Sequence, residues 1–305
     1  MQYLKRIKAF SIDFYKNATS FNSKLAIEIF VSKLYKDIDR RHHAILDYLE
    51  PRYMNIIQSY IGYEQPPSVL TDDCPIWVCW LQGEKRMPYI CKKCVESIRK
   101  HAGKHPVKMI TFDNYQEYVT IPTYILEKIG KEISYTHFSD ILRANLLADH
   151  GGMWIDSTIY VTQDLPNWNL LFYTLKQKFP CNKTFISLYR WSTFFQGGVK
   201  NNLLHCFLRD FLHLYYKNVK AQIDYFLTDY IIDIGYRYVP AIRKMVDEVP
   251  YSCQGIHELR KILYTTLNLD KLNVLLKQNY AFKLTYKNQP AEIDPHSVYH
   301  YLFCQ

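Results

Sequence analysis

Phe138-Ser139-Asp140-Ile141-Leu142-Arg143-Ala144-Asn145-Leu146-Leu147-Ala148-Asp149-His150-Gly151-Gly152-Met153-Trp154-Ile155-Asp156-Ser157-Thr158 decides how this chain folds. Ile141, Leu142 and Leu146 recur at helical spacing, so one face of a helix is apolar. Asp140 and Arg143 stand three residues apart and project from one face. Gly151 and Gly152 supply the permissive backbone that ends the helix. Met153-Trp154-Ile155 is too short for a helix and suits a buried strand. Asp156 then falls at the carboxyl end of that strand, where ligands bind in α/β sheets. A carboxylate there can hold a hard metal ion on a phosphate or accept from a sugar hydroxyl. The residues alone fit equally a structural helix–strand unit with an incidental acid.

Outward from this stretch the alternation continues. Pro75 to Trp80 reads as a buried strand, Pro88 to His101 as a helix and Val107 to Phe112 as a second strand. Pro122 to Ile129 reads as a helix stopped by Gly130. Strands alternating with helices predict a mainly parallel sheet flanked by helices, an α/β fold. Beyond Pro166, Phe185 to Leu188 is strand-like. Phe194 to Gly198 reads as a glycine-bearing loop beside the site, with Gly197-Gly198 or the tail a candidate lid. Asn202 to Tyr216 and Ile223 to Ile234 read as helices. Residues 1–70 read as helices, with Leu46, Leu49, Tyr53 and Ile57 at helical spacing, and Pro66-Pro67 marks a boundary. The organisation expected is a helical extension over 1–70 and an α/β domain over 71–305. Met1 to about Lys16 mixes apolar residues with lysines, which suits either an anionic membrane surface or packing on a neighbouring helix.

The chain has 305 residues, of which 48% are hydrophobic, enough to bury a full core. Its 27 tyrosines offer flat stacking surface with a polar tip, useful to a sugar or nucleotide site as well as to a core. Lys and Arg outnumber Asp and Glu by 38 to 29, a net +9 that favours anionic partners such as nucleotide diphosphates or lipid headgroups. No basic run and no nucleic-acid motif is present, so nucleic acid is not an expected partner. Lysines and an arginine interrupt Met1 to Phe30, leaving no secretory signal, and no window is apolar enough to span a bilayer. A cytoplasmic protein, peripheral on the inner face of the membrane, is expected. The eight cysteines read as free thiols; Cys91-Lys92-Lys93-Cys94 lacks the second pair or His pair that a zinc site needs.

Ser139, Asp140, Arg143, Gly151, Gly152 and Asp156 together resemble the core motif of retaining glycosyltransferases of the capsular polysaccharide synthesis type. These stand with a broader group that includes outer-chain mannosyltransferases and the glucosylating clostridial toxins. That group shows a Ser-Asp-x-x-Arg helix, a Gly-Gly, an apolar strand and an Asp-x-Asp. The second motif acid falls on Thr158 here, a departure that the capsular branch tolerates. Ile76-Trp77-Val78-Cys79-Trp80-Leu81-Gln82-Gly83 resembles the first strand of the family, which ends in a base-stacking tryptophan. The resemblance is strong from about Cys74 to Pro166, thinner to about Tyr238 and silent on the first 70 residues.

The resemblance implies a GT-A-like, Rossmann-type sheet with an N-terminal helical extension. It implies a retaining hexosyltransferase that moves galactose or glucose from a UDP-sugar to a lipid-linked oligosaccharide of a bacterial surface polysaccharide. A GDP-mannose-dependent enzyme and a non-catalytic sugar-nucleotide-binding subunit, the latter favoured by Thr158, are the alternatives. Val78, Trp80, Ser139, Asp140 and Arg143 would hold the nucleotide sugar. Asp156, with Gln196 and Asp224 facing the sugar or acceptor, would complete the catalytic set. Mn²⁺ or Mg²⁺ is the expected cofactor, entering with the nucleotide and held by Asp156 and Thr158, with Asp294, His296 and His300 closing the site from the tail.

Overall fold

A computed structural model describes residues 14–15, 17–178 and 182–304; the expected membrane-surface helix over Met1 to Lys16 lies almost wholly outside the described residues. Residues 14–15 and 17–20 are helical, and after them come α1 (Ser23–Tyr35), α2 (Ile38–Arg52) and α3 (Met54–Tyr60). The order then runs β1 (Ile76–Cys79), α4 (Tyr89–Lys100), β2 (Val107–Ile110), a single turn α5 (Thr123–Leu126), α6 (Tyr135–His150), β3 (Gly152–Ile155), β4 (Ile159–Val161), β5 (Phe172–Thr174) and β6 (Phe195–Gly198). It closes with α7 (Leu203–Asn218), α8 (Leu227–Tyr238), α9 (Pro240–Glu248), α10 (Glu258–Ile262), α11 (Leu269–Gln278), β7 (Ala281–Lys283) and α12 (Val298–Phe303).

The five-stranded sheet has the order β2-β1-β3-β6-β5. β2 and β3 run parallel to β1, while β6 is antiparallel to both β3 and β5, so four of the five strands share one direction and β6 alone is reversed. Every residue of β1 and β3 is buried, which is why both read as unbroken apolar runs. β4 and β7 form a separate antiparallel pair that sets Ile159 opposite Lys283. α6 packs on β1, β3 and α7, and α4 packs on β4.

The decisive stretch folds as its pattern predicts. The Ser134 side chain accepts from the His137 amide and starts α6; the Gly151 amide bonds the Leu147 carbonyl and ends it. Gly152 then has φ +96, and a Cβ there would lie 2.3 Å from the Pro75 carbonyl oxygen. Only glycine meets both demands, the backbone turn and the close pass of β3 beside β1.

Four local expectations are corrected. Phe194 to Gly198 is not a loop: β6 is a buried internal strand, and a Cβ on Gly197 would lie 2.2 Å from the Gly152 carbonyl oxygen. The glycines there allow β6 to pack against β3, so Gly197-Gly198 is no lid. Phe185 to Leu188 is a run of turns, with Leu188 and Tyr189 at φ +47 and +61, values that no strand accommodates. The helix expected over Pro122 to Ile129 is cut to one turn, because Gly130 at φ +77 folds its amide back onto the Ile133 carbonyl. The helix expected from Ile223 begins at Leu227, because the Asp224 carboxylate accepts from the Phe226 amide at 2.8 Å and closes a turn first.

α2 and α3 lie against α7 and α8. Polar groups fix them there: Tyr60 donates to Asp210 at 2.6 Å, Tyr238 donates to Glu50 at 2.5 Å, and Arg41 pairs with Asp224. His42 bonds the Tyr230 hydroxyl through Nδ1 at 2.7 Å and the Lys183 carbonyl through Nε2 at 2.9 Å. Among the described residues no helix is long and apolar enough to cross a membrane.

Candidate active site

A cleft of about 400 Å³ opens at the carboxyl end of β3. Its floor comes from α6 and the end of β3: Ser139, Asp140, Arg143 and Asp156. One wall is the turn segment with Phe185, Ser187, Tyr189 and Trp191; another is the start of α8 with Tyr225, Thr228 and Asp229. His257, Arg260 and Lys283 close the third side.

The floor is an ordered chain of charge. Arg143, 4% exposed, directs Nη2 between two carboxylates, 3.1 Å from Asp140 Oδ1 and 3.5 Å from Asp156 Oδ1. Its guanidinium lies over the Trp154 ring, 4.8 Å from the centroid. Asp140 Oδ2 is 3.2 Å from His137 Nδ1. Asp156, 27% exposed, accepts from Trp154 Nε1 at 2.8 Å on Oδ1 and from Lys283 Nζ at 2.5 Å on Oδ2. Burial pushes the Asp156 carboxyl up, but Lys283, Arg143 and the two hydrogen bonds outweigh it and hold the acid below its ordinary range. Asp156 therefore stands ionised in the cleft.

Lys283 reaches Asp156 through backbone pairing. The register of β4 with β7 sets Lys283 opposite Ile159, and the Leu284 amide bonds the Thr158 carbonyl at 2.9 Å. Its ammonium also lies 4.8 Å from the centre of the Phe194 ring. Nothing local to residue 283 announces this, and neither do the sequences around Arg260 and Asp229.

Asp229 is the second acid of the cleft, and the Trp191 Nε1 donates to it at 2.9 Å. Burial drives its carboxyl up to about 7; the Trp191 bond and Arg143 oppose the rise, while Asp140 and Asp224 add to it. The native state thus keeps a proton that an unfolded chain releases near pH 4, so wild-type stability falls as pH climbs from about 4 to about 7. Asp229→Asn keeps an acceptor for Trp191 and removes that slope. Urea unfolding at pH 5 and pH 8 is expected to show the variant gaining on wild type at the higher pH; a difference independent of pH would refute the assignment.

The remaining sequence candidates scatter. Ser139 lines the cleft but bonds the Thr136 carbonyl. Val78 is buried inside β1 and serves the core. Trp80 sits at the end of β1 yet outside the cleft lining, packed edge-on against Tyr286 with ring centres 5.5 Å apart. Gln196 is fully buried on β6 opposite Trp154, and its amide has no hydrogen-bond partner among the described residues. Asp224 is turned away, held by Arg41 and by its own turn. Asp294, His296 and His300 do not come to Asp156: Asp294 caps the turn before α12, and the two histidines line a separate hollow with Thr266 and Tyr301. α12 instead seats Phe303 against Tyr160 of β4.

The fit to a divalent ion fails on these contacts. Among the described residues no group of three His, Cys, Asp or Glu side chains converges as a metal site. Asp156 is the one cleft-lining acid of the expected metal set, and an ammonium already occupies its Oδ2.

The capsular polysaccharide synthesis protein family matches residues 24–302 of this chain. Among solved structures, the PaToxG glycosyltransferase is similar at 14% identity and a TM-score of 0.38, covering 66% of this chain and 82% of its own. The apo structure of the bifunctional glycosyltransferase WbbM is similar at 11% identity and a TM-score of 0.41, over 79% of this chain; the match covers 50% of that longer chain. No curated protein sequence matches.

Proposed function

The chain belongs to the capsular polysaccharide synthesis protein family, and we propose that it is a glycosyltransferase acting from a nucleotide sugar. One observation carries the reading: Asp140, Arg143 and the ionised Asp156 converge in a cleft at the carboxyl end of β3, the kind of position where α/β enzymes bind nucleotides. The donor is a UDP-hexose carrying galactose or glucose, and the acceptor is a lipid-linked saccharide met at the inner membrane face. His42 of the helical extension bonds the Lys183 carbonyl in the turn segment whose Phe185, Ser187 and Tyr189 line the cleft, which supports a role for the extension in acceptor binding.

In transfer, the bond between the anomeric carbon and the diphosphate oxygen breaks, and the acceptor hydroxyl forms the new bond on the same face. The acceptor's proton passes to the departing phosphate. Positive charge builds on the sugar ring and negative charge on the leaving group, so the enzyme works by fixed electrostatics at that oxygen. Asp156 and Asp140 accept from donor hydroxyls, and the buried Arg143 is paired with both acids. The aromatic walls, Phe185, Tyr189, Phe194 and Tyr225, exclude the water that would hydrolyse the donor.

Incubation with UDP-galactose, UDP-glucose and GDP-mannose, each labelled in the sugar, tests this. Slow release of free sugar from one donor is expected, with retained configuration at the first turnover by NMR. Release from GDP-mannose alone would move the enzyme to mannosyl transfer. Thr158 in place of the second motif acid supports a second reading, a non-catalytic nucleotide binder. Nucleotide binding with no release from any donor would establish it.

A further inference from the structure

Three cations face the cleft that the donor's diphosphate would enter. Arg143 lies at its floor, Lys283 at its side and Arg260 at its rim. Arg260 is exposed and has no ion pair among the described residues. Lys283 is tethered on both sides of its backbone, its amide bonding the Ile256 carbonyl at 2.7 Å and the next amide bonding the Thr158 carbonyl. Its side chain is 21% exposed, so the ammonium is fixed by Asp156 yet open to a ligand. Lys283 and Arg260 both bear on His257, whose ring is held below its ordinary value by burial first and then by Lys283, Arg260 and Lys261.

A divalent ion on Asp156 would have to settle against the Lys283 ammonium and share its carboxylate with Arg143. Like charges that close, on one partly buried carboxylate, oppose each other strongly. The chain has instead placed a neutral threonine where a second ligand would stand and a cation where the ion would bind. We propose that Lys283, oriented by Asp156 and assisted by Arg143 and Arg260, takes the place of a divalent ion on the diphosphate of the donor, so that this protein binds nucleoside diphosphates without metal. The inference rests on the sugar-nucleotide reading above. Lysine suits this role because it is a compact point charge with three donors, one given to Asp156 and two left for phosphate oxygens.

Calorimetry on the full chain with UDP, GDP and UMP, in EDTA and in excess Mn²⁺, tests it. The diphosphate that binds is expected to do so within about twofold in both conditions. Lys283→Gln is expected to weaken it about tenfold or more in EDTA, the loss of one charge-assisted contact. UMP, which lacks the second phosphate, should lose far less, and Lys283→Arg should keep most of the affinity. A structural lysine would weaken both nucleotides alike, which overturns the inference. Should Lys283→Gln fail to fold, the wild-type comparison and Lys283→Arg decide. Diphosphate binding that appears only with Mn²⁺ overturns the inference and leaves the sugar-nucleotide reading standing. Binding of neither UDP nor GDP under either condition overturns that reading and this inference with it.

Discussion

Asp156→Asn is expected to lower sugar transfer by about 10²–10³-fold while the protein stays folded, the usual cost of removing one electrostatic contact to the transition state. Asparagine keeps the shape and can still accept from Trp154 Nε1 at the present 2.8 Å. It cannot balance Lys283 and Arg143, which now hold the acid ionised. Lys283 then loses its anchor, and its ammonium no longer stands where the leaving group departs. Turnover with labelled donor, set beside a urea unfolding curve, separates the two effects. Near-normal turnover would remove Asp156 from the site; a lost unfolding transition would make it a folding residue. The same variant also bears on the role of Lys283. If Asp156 acts chiefly by orienting that ammonium, nucleoside diphosphate affinity should fall together with the rate.

How much of this is legible in the sequence divides by range. The unit from Ser134 to Asp156 is legible because each signal is local: an N-cap serine, a 3.6-residue apolar stripe, paired glycines and a short apolar strand. It carries both the direction of the sheet and the acid at its end. β6 reads wrongly as a loop because Gln196, Gly197 and Gly198 have no β-branched or alternating pattern. What makes them a strand is non-local, a close pass against Gly152 that only glycine allows. Lys283 lies beyond sequence reasoning for the same reason. It meets Asp156 through the β4–β7 pairing, 127 residues away along the chain. The tail histidines illustrate the reverse error. His296 and His300 carry the right chemistry for a metal, but packing of α12 beside β4 sends them to another hollow. Residue type proposes a ligand; only topology decides what it faces.

Arg143→Met is expected to cost about 3–5 kcal/mol of stability, the range for removing one partner of a buried ionic group. Arg143 is 4% exposed and is the shared counter-charge of two acids, so its loss leaves Asp140 and Asp156 with no cation between them. Methionine fills much of the same space over the Trp154 ring, which confines the deficit to charge rather than to a cavity. The sign of the pH dependence follows. In wild type the depressed Asp156 carboxyl contributes stability at neutral pH that is lost as pH falls through its native value. Without Arg143 that carboxyl moves upward, so the variant has less to lose in acid. The gap between the two proteins should therefore hold from neutral pH down to the ordinary aspartate range and narrow as pH falls below about 4. Arg143→Lys restores a charge but not a fork able to reach both carboxylates, and should fall between them. Transfer should fall in the methionine variant even at temperatures where it remains folded, because the guanidinium that holds Asp140 and Asp156 together at the cleft floor is gone. Urea unfolding across that pH range, with turnover measured well below the midpoint, checks both halves. Unchanged stability with intact turnover would show the guanidinium to be incidental, and the link it makes between Asp140 and Asp156 would carry no weight.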